Sequence, residues 1–145
     1  MATVSDILAR KGGQVHCIPR SATVLEATRR MNEHKVGSLV VSEDGRVVGV
    51  FSERDVLQRV VAQERLPGRT LVGDVMTARV IVVSPSADID EAARIMKDQR
   101  VRHLPVVEED GRLVGMISIG DVNAYHASAR EATIRYLHDY IYGRV

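Results

Sequence analysis

Two short segments carry the residues with the clearest chemical meaning. Gly49-Val50-Phe51-Ser52-Glu53-Arg54-Asp55 and Gly115-Met116-Ile117-Ser118-Ile119-Gly120-Asp121 each place a serine three residues before an aspartate, where an apolar run gives way to a helix. A carboxylate can accept two hydrogen bonds from a ribose diol. Free N–H groups at a helix start, with a serine hydroxyl beside them, favour a phosphate. Ser52 with Asp55, and Ser118 with Asp121, therefore offer a diol acceptor and a phosphate donor within one helical turn. The same Ser-x-x-Asp spacing is also an ordinary helix cap, and the two uses are compatible. Arg102 and His103 stand just before the apolar run Leu104-Pro105-Val106-Val107. A guanidinium fork suits a phosphate, and both residues can equally cap the preceding helix, whose C-terminus favours cations. The matching positions of the first segment hold Gly37 and Ser38, so Lys35 or Arg54 would have to supply its positive charge.

These residues sit in a chain that repeats itself. Ser21-Ala22-Thr23-Val24-Leu25-Glu26-Ala27 lies over Ser86-Ala87-Asp88-Ile89-Asp90-Glu91-Ala92, and the register continues through Met31/Met96, Val36/Val101, Leu39/Leu104 and Val41/Val106. One extra residue near Asp110 restores it through Gly45/Gly111, Ser52/Ser118 and Asp55/Asp121. The leaders match as well, Val4-Ser5-Asp6-Ile7-Leu8 against Val72-Gly73-Asp74-Val75-Met76. Each copy predicts the same elements: a leader helix, a short strand (Val15 to Ile18, Val80 to Val83), a capped amphipathic helix, a hairpin and a second helix. Thr23 with Glu26 and Asp88 with Glu91 read as capping boxes. Asp44-Gly45 and Asp110-Gly111 between apolar runs read as hairpin turns. The second helices open at Ser52 and Ser118. A further helix is expected from about Ala127 to Tyr142, with Ile134, Leu137 and Ile141 on one face and Gly143 as its stop. That face either packs on its own module or makes a dimer contact, with Tyr136 and Tyr140 helping.

The fold expected is α/β: two β-α-β-β-α half-units about a pseudo-twofold axis, with an added C-terminal helix. A half-unit of that size buries too little surface to stand alone comfortably. The division falls at 1–66 and 67–145, each part with its own leader helix, joined through the connector around Pro67-Gly68.

Composition limits the function. Of 145 residues, 45% are hydrophobic and 27% charged, with a formal net charge of +1 and no tryptophan. Neither a basic excess nor stacking aromatics argue for nucleic acid. No apolar run approaches the roughly 18 residues that span a bilayer, and the N-terminus lacks signal-peptide features. Cys17 is the only cysteine, which fits a small buried residue in a reducing, cytoplasmic setting. The five histidines show no metal-ligand spacing, and His16 and Cys17 point to opposite faces of a strand. Neither catalysis nor a metal is expected.

The capped helix, Val101-Arg102-His103-Leu104-Pro105-Val106-Val107, the Asp-Gly hairpin and Gly-x-x-Ser-x-x-Asp, in that order and in duplicate, resemble the CBS domain family. The chain is similar in particular to short stand-alone bacterial CBS-pair proteins. The resemblance implies a tandem pair (a Bateman module) with two clefts that take AMP, ADP, ATP, NAD(H) or related adenosyl ligands. It implies flat dimers and regulation of a separate partner protein. It gives Asp55 and Asp121 to the ribose, and Ser52, Ser118, Arg102, His103 and Arg54 to phosphate. Ile18, Pro19, Val83, Ser84 and Pro105 would line the adenine pocket, or are ordinary strand ends in a core. The other reading is a structural dimerisation module with one or both clefts non-functional.

Overall fold

A computed structural model of the protein describes residues 2–142, so the expected stop at Gly143 lies outside the described residues. The first copy contains α1 (Val4–Lys11), β1 (Cys17–Pro19), α2 (Val24–His34), β2 (Ser38–Glu43), β3 (Arg46–Ser52) and α3 (Glu53–Asp55), which widens into a π-helical stretch at Val56–Val61. A single 3₁₀ turn, Pro67–Arg69, joins it to α4 (Val72–Val75), α5 (Ile89–Gln99), β4 (His103–Val107), β5 (Leu113–Ser118) and α6 (Ile119–Tyr142).

Local sequence explains most of these bounds. Thr23 Oγ1 accepts the Glu26 N–H at 3.1 Å and opens α2. Asp88 Oδ1 opens α5 by accepting from Asp90 at 2.8 Å rather than from Glu91. Lys35 and Arg100 end the two helices in the left-handed conformation. The β2–β3 turn has positive φ at both Asp44 and Gly45, the geometry that matches strand twist in a two-residue hairpin. The extra residue of the second copy makes its turn longer, with positive φ at Gly111 alone.

The first sheet runs β1-β2-β3, with β1 parallel to β2 and β2 antiparallel to β3. The second has only β4 and β5. The expected strand Val80 to Val83 is reduced to one parallel bridge between Val83 and Val106. Proline is the reason. In the first sheet the Val40 N–H donates to the His16 carbonyl at 3.0 Å. The repeat register puts Pro105 opposite Val40 and Ile81 opposite His16. Proline has no N–H to give, so the ladder stops.

Packing crosses the sequence division. Val4 and Ile7 of α1 are buried in the second copy's core with Ile89, Met96, Leu104 and Ile117. Val72, Val75 and Met76 are buried in the first copy's core with Leu39, Val41 and Phe51. The exchange is reciprocal. Val4 N–H donates to Ala87 O at 2.9 Å, and Val72 N–H donates to Ala22 O at 2.8 Å. Reciprocity of this kind is the mark of the pseudo-twofold axis. Two glycines admit the crossing segments. A Cβ on Gly49 would lie 2.6 Å from Met76 Sδ, and one on Gly115 would lie 2.7 Å from Leu8 Cδ2.

The C-terminus differs from expectation. The helix that opens after Ser118 and the separate helix expected from Ala127 are one 24-residue helix, α6. No glycine or proline interrupts Ala127 to Tyr142, so nothing local stops it. Val122 is its one buried residue among those described, whereas Ile134, Leu137 and Ile141 are exposed.

Candidate functional site

Ser52 ends β3 and caps α3. Its hydroxyl accepts the Asp55 N–H at 3.4 Å, and Asp55 Oδ2 accepts the Ser52 N–H at 3.0 Å. The capping role of Ser-x-x-Asp is therefore real. It also fixes the carboxylate: Oδ1 accepts from Thr77 Oγ1 at 3.1 Å and faces Arg59 Nε at 3.8 Å. Thr77 follows α4, the leader of the second copy, and pairs with Val50 of β3 by two backbone bonds. Leader exchange thus brings Thr77 to Asp55.

Ser52 and Asp55 open onto a cavity of about 560 Å³, a size suited to a small ligand. Arg54 and Glu53 share its near wall, and Thr77, Arg79 and Ile81 form one side. Arg100, Val101, Arg102, His103 and Pro105 form the far wall, where α5 ends and β4 begins. Four arginines and a histidine face two carboxylates, so the cavity is positive. The missing ladder bond leaves the Ile81 carbonyl without the strand donor that His16 has. Burial pushes His103 below the usual histidine range, with Asp121 and Glu53 raising it and Lys11 and Arg102 lowering it.

The symmetry-related cleft is built differently. Ser118 caps α6 as Ser52 caps α3, with Asp121 N–H to Ser118 Oγ at 3.1 Å and Ser118 N–H to Asp121 Oδ2 at 2.8 Å. Ser118 lines a cavity of about 220 Å³ with Lys11, His16, Gly37, Ser38, His103 and Met116. Asp121 instead lines one of about 240 Å³ with Ile7, Arg10, Lys11, Ala124 and Tyr125. Burial pushes the Asp121 carboxyl up, but the Lys11 ammonium and the Ser118 N–H more than offset it and hold it below the ordinary carboxylate value.

Of the residues singled out in the sequence, the structure gathers Ser52, Arg54, Asp55, Arg102, His103 and Pro105 on one cavity. Ile18 and Val83 are core residues instead, because their side chains turn under the sheets. Pro19 and Ser84 are at exposed strand ends, Ser84 Oγ lying 2.9 Å from Ser86 Oγ. Neither they nor Lys35 line any of the three cavities described. Sequence reasoning missed Thr77, Arg79, Ile81 and Arg100. The repeat register was the available signal, since it puts the post-leader segment at a fixed place, but the register does not say which half the leader joins.

A family model described as the CBS domain matches residues 4–62 and again residues 72–127. A mitochondrial CBS domain-containing protein of Arabidopsis thaliana is 35% identical over 97% of this chain and 72% of its own length. A solved protein with CBS domains from Burkholderia ambifaria superposes with a TM-score of 0.84 at 37% identity, covering 88% of this chain and 95% of that one. A CBS domain protein from Pyrobaculum aerophilum, solved in complex with AMP, has a TM-score of 0.74 at 32% identity, with coverage of 83% and 89%.

Proposed function

Since the chain belongs to the CBS domain family, as a tandem pair, we propose that it is a non-catalytic sensor of adenine nucleotides. The observation that carries this reading is the 560 Å³ cavity, where Ser52 and Asp55 of one half meet Arg102 and His103 of the other. In this reading Asp55 accepts from the ribose diol. Arg102, with Arg54, Arg79 and Arg100 around it, takes the phosphates as forked donors. Pro105 and Ile81 border the adenine, whose edge can meet the carbonyl that Pro105 leaves without a strand donor. The AMP complex of the Pyrobaculum relative supports an adenosyl ligand.

In this reading the Ser-x-x-Asp pair serves as a cap and a ligand acceptor rather than as a catalytic pair. Ser52 Oγ is engaged with Asp55 on both its donor and acceptor sides. The one described acceptor of its proton is Asp55 Oδ2, which also accepts the Ser52 N–H and so serves the cap, and the described residues hold no group of three or more possible metal ligands. No helix is long and apolar enough to cross a membrane among them. In this reading the output of binding is read by a separate partner protein. A homodimer joined through the exposed face of α6 fits both this reading and the structural-dimerisation one.

Mass spectrometry of small molecules released from the purified, denatured protein tests the proposal, together with titration calorimetry against AMP, ATP and NAD. The expected result is an adenine nucleotide in the released fraction, or saturable heat with at least one of the three. No released nucleotide and no heat at millimolar concentration would overturn it.

A further inference from the structure

The two aspartates occupy matching places in the repeat but meet different neighbours. Asp55 Oδ1 accepts from the neutral hydroxyl of Thr77 at 3.1 Å, with the Arg59 Nε further off at 3.8 Å. The register puts Ala9 opposite Thr77, so the second half has no such hydroxyl. Its place is taken from two residues further along α1: the Lys11 ammonium donates to Asp121 Oδ2 at 2.7 Å and to the Met116 carbonyl at 2.9 Å. Opposite Lys11 in the register stands Arg79, and Arg79 turns to Gln99 Oε1 at 3.4 Å rather than to Asp55. The cavities record the consequence. Ser52 and Asp55 line one cavity together. Ser118 and Asp121 line two different ones, and Lys11 is a wall of both.

We propose that Lys11 closes the second cleft to a ribose, so that a module duplicated in sequence has a single nucleotide site. This rests on the reading of the Asp55 cleft as that site. A diol offers neutral O–H donors. Lys11 walls both the Ser118 cavity and the Asp121 cavity, so a diol entering on the Ser118 side meets the ammonium before the carboxylate and must displace its charge-assisted bond to Oδ2, the stronger kind. The net depression of the Asp121 pKa keeps the carboxylate ionised, and so paired, across the physiological range. Phosphate meets no guanidinium fork in the cavity of about 220 Å³ on the Ser118 side, and the two histidines there, His16 and His103, are held below the usual histidine range chiefly by burial. Lys11 is therefore a specificity-determining residue for the number of ligands, and its removal opens a site that has no preference for phosphate.

Titration calorimetry with ATP and with adenosine, on the wild type, Lys11→Met and Lys11→Arg, tests this. Methionine keeps the apolar stem, and arginine keeps the pairing. The wild type and Lys11→Arg bind one ATP per chain. Lys11→Met gains a second site whose affinities for adenosine and ATP agree within about threefold. Two ATP per chain in the wild type, or one in Lys11→Met, overturns the closure while leaving the first cleft's role intact. No binding to the wild type with one equivalent in Lys11→Met keeps the closure and removes the reading of the first cleft. No binding to either removes both. Acylation of Lys11, followed by mass spectrometry of the wild type, gives a check independent of variant folding: saturating ATP leaves its rate unchanged, and a several-fold change overturns the proposal.

Discussion

Replacing Asp55 by asparagine separates a helix cap from a ligand acceptor. The N-cap of α3 is Ser52, which the change leaves in place, and the Asn side chain has the same shape as that of Asp. Its carbonyl oxygen can still accept the Ser52 N–H, and its amide can donate to Thr77 Oγ1. The charge opposite Arg59 is lost; Asp55 is buried, but the pair is 3.8 Å long and the half-exposed Arg59 keeps its bonds to Val75 O and Met76 O, so the loss costs about 1 kcal/mol. For 145 residues that is a fall of roughly 2–4 °C in the unliganded Tm. Ligand binding to the folded state alone stabilises it by about 2.7 kcal/mol at a hundredfold excess over Kd, or roughly 5–11 °C at this size. Asp55→Asn should lose most of that shift, whereas Asp121→Asn should keep it, because Asp121 is already held by Lys11. Scanning calorimetry with and without ATP or AMP reads both quantities. If Asp55→Asn melts far below the unliganded wild type yet shows the full shift, Asp55 is only a cap and the site assignment fails. Equal loss in the two variants would refute the inequality of the clefts.

Arg102→Ala removes a charged donor whose hydrogen bond contributes about 1.5–3 kcal/mol, so calorimetry should show ATP affinity falling about 10- to 150-fold while adenosine affinity stays nearly constant. An equal fall for both ligands would place Arg102 outside the phosphate contact. His103 is held low chiefly by burial, so the folded protein binds fewer protons there than the unfolded chain. Its contribution to stability is complete above the unfolded value of about 6.5 and is lost as pH falls through that value toward the lower folded pKa. A phosphate beside His103 raises its pKa again, so ATP binding should take up protons and strengthen as pH falls toward the histidine range. His103→Gln should flatten that slope, and an unchanged slope would count against the contact. Light scattering should give twice the chain mass for the wild type and the single-chain mass for Leu137→Glu, since Leu137 is central to the exposed apolar face of α6; a monomeric wild type would end the dimer proposal.

The sequence alone determined whatever depends on neighbours a few residues apart. The turn at Asp44 and Gly45, the N-caps Thr23 and Asp88, and the strand-to-helix step at Ser52 and Ser118 are all of this kind, and the duplication shows because such patterns occur twice in the same order. Each is set by hydrogen bonds within about four residues, and those spacings are written in the chain. Even the pairing of Ser52 with Asp55 was legible as a cap. The occupant of the other side of that carboxylate was not. Val4 and Ile7 are as apolar as Val72 and Val75, and the two cores they can enter are alike, so composition cannot say which leader joins which half. Only the tertiary structure decides it, through reciprocal backbone bonds and the close approach at Gly49 and Gly115. That exchange brings Thr77 to Asp55 and Lys11 to Asp121. It also gathers Arg102 against Ser52 while leaving Ile18, Pro19, Val83 and Ser84 off the cavity walls. Two sites equal in their local motif become unequal because their partners lie roughly 20 to 110 residues away in the chain, at separations where no local spacing carries information.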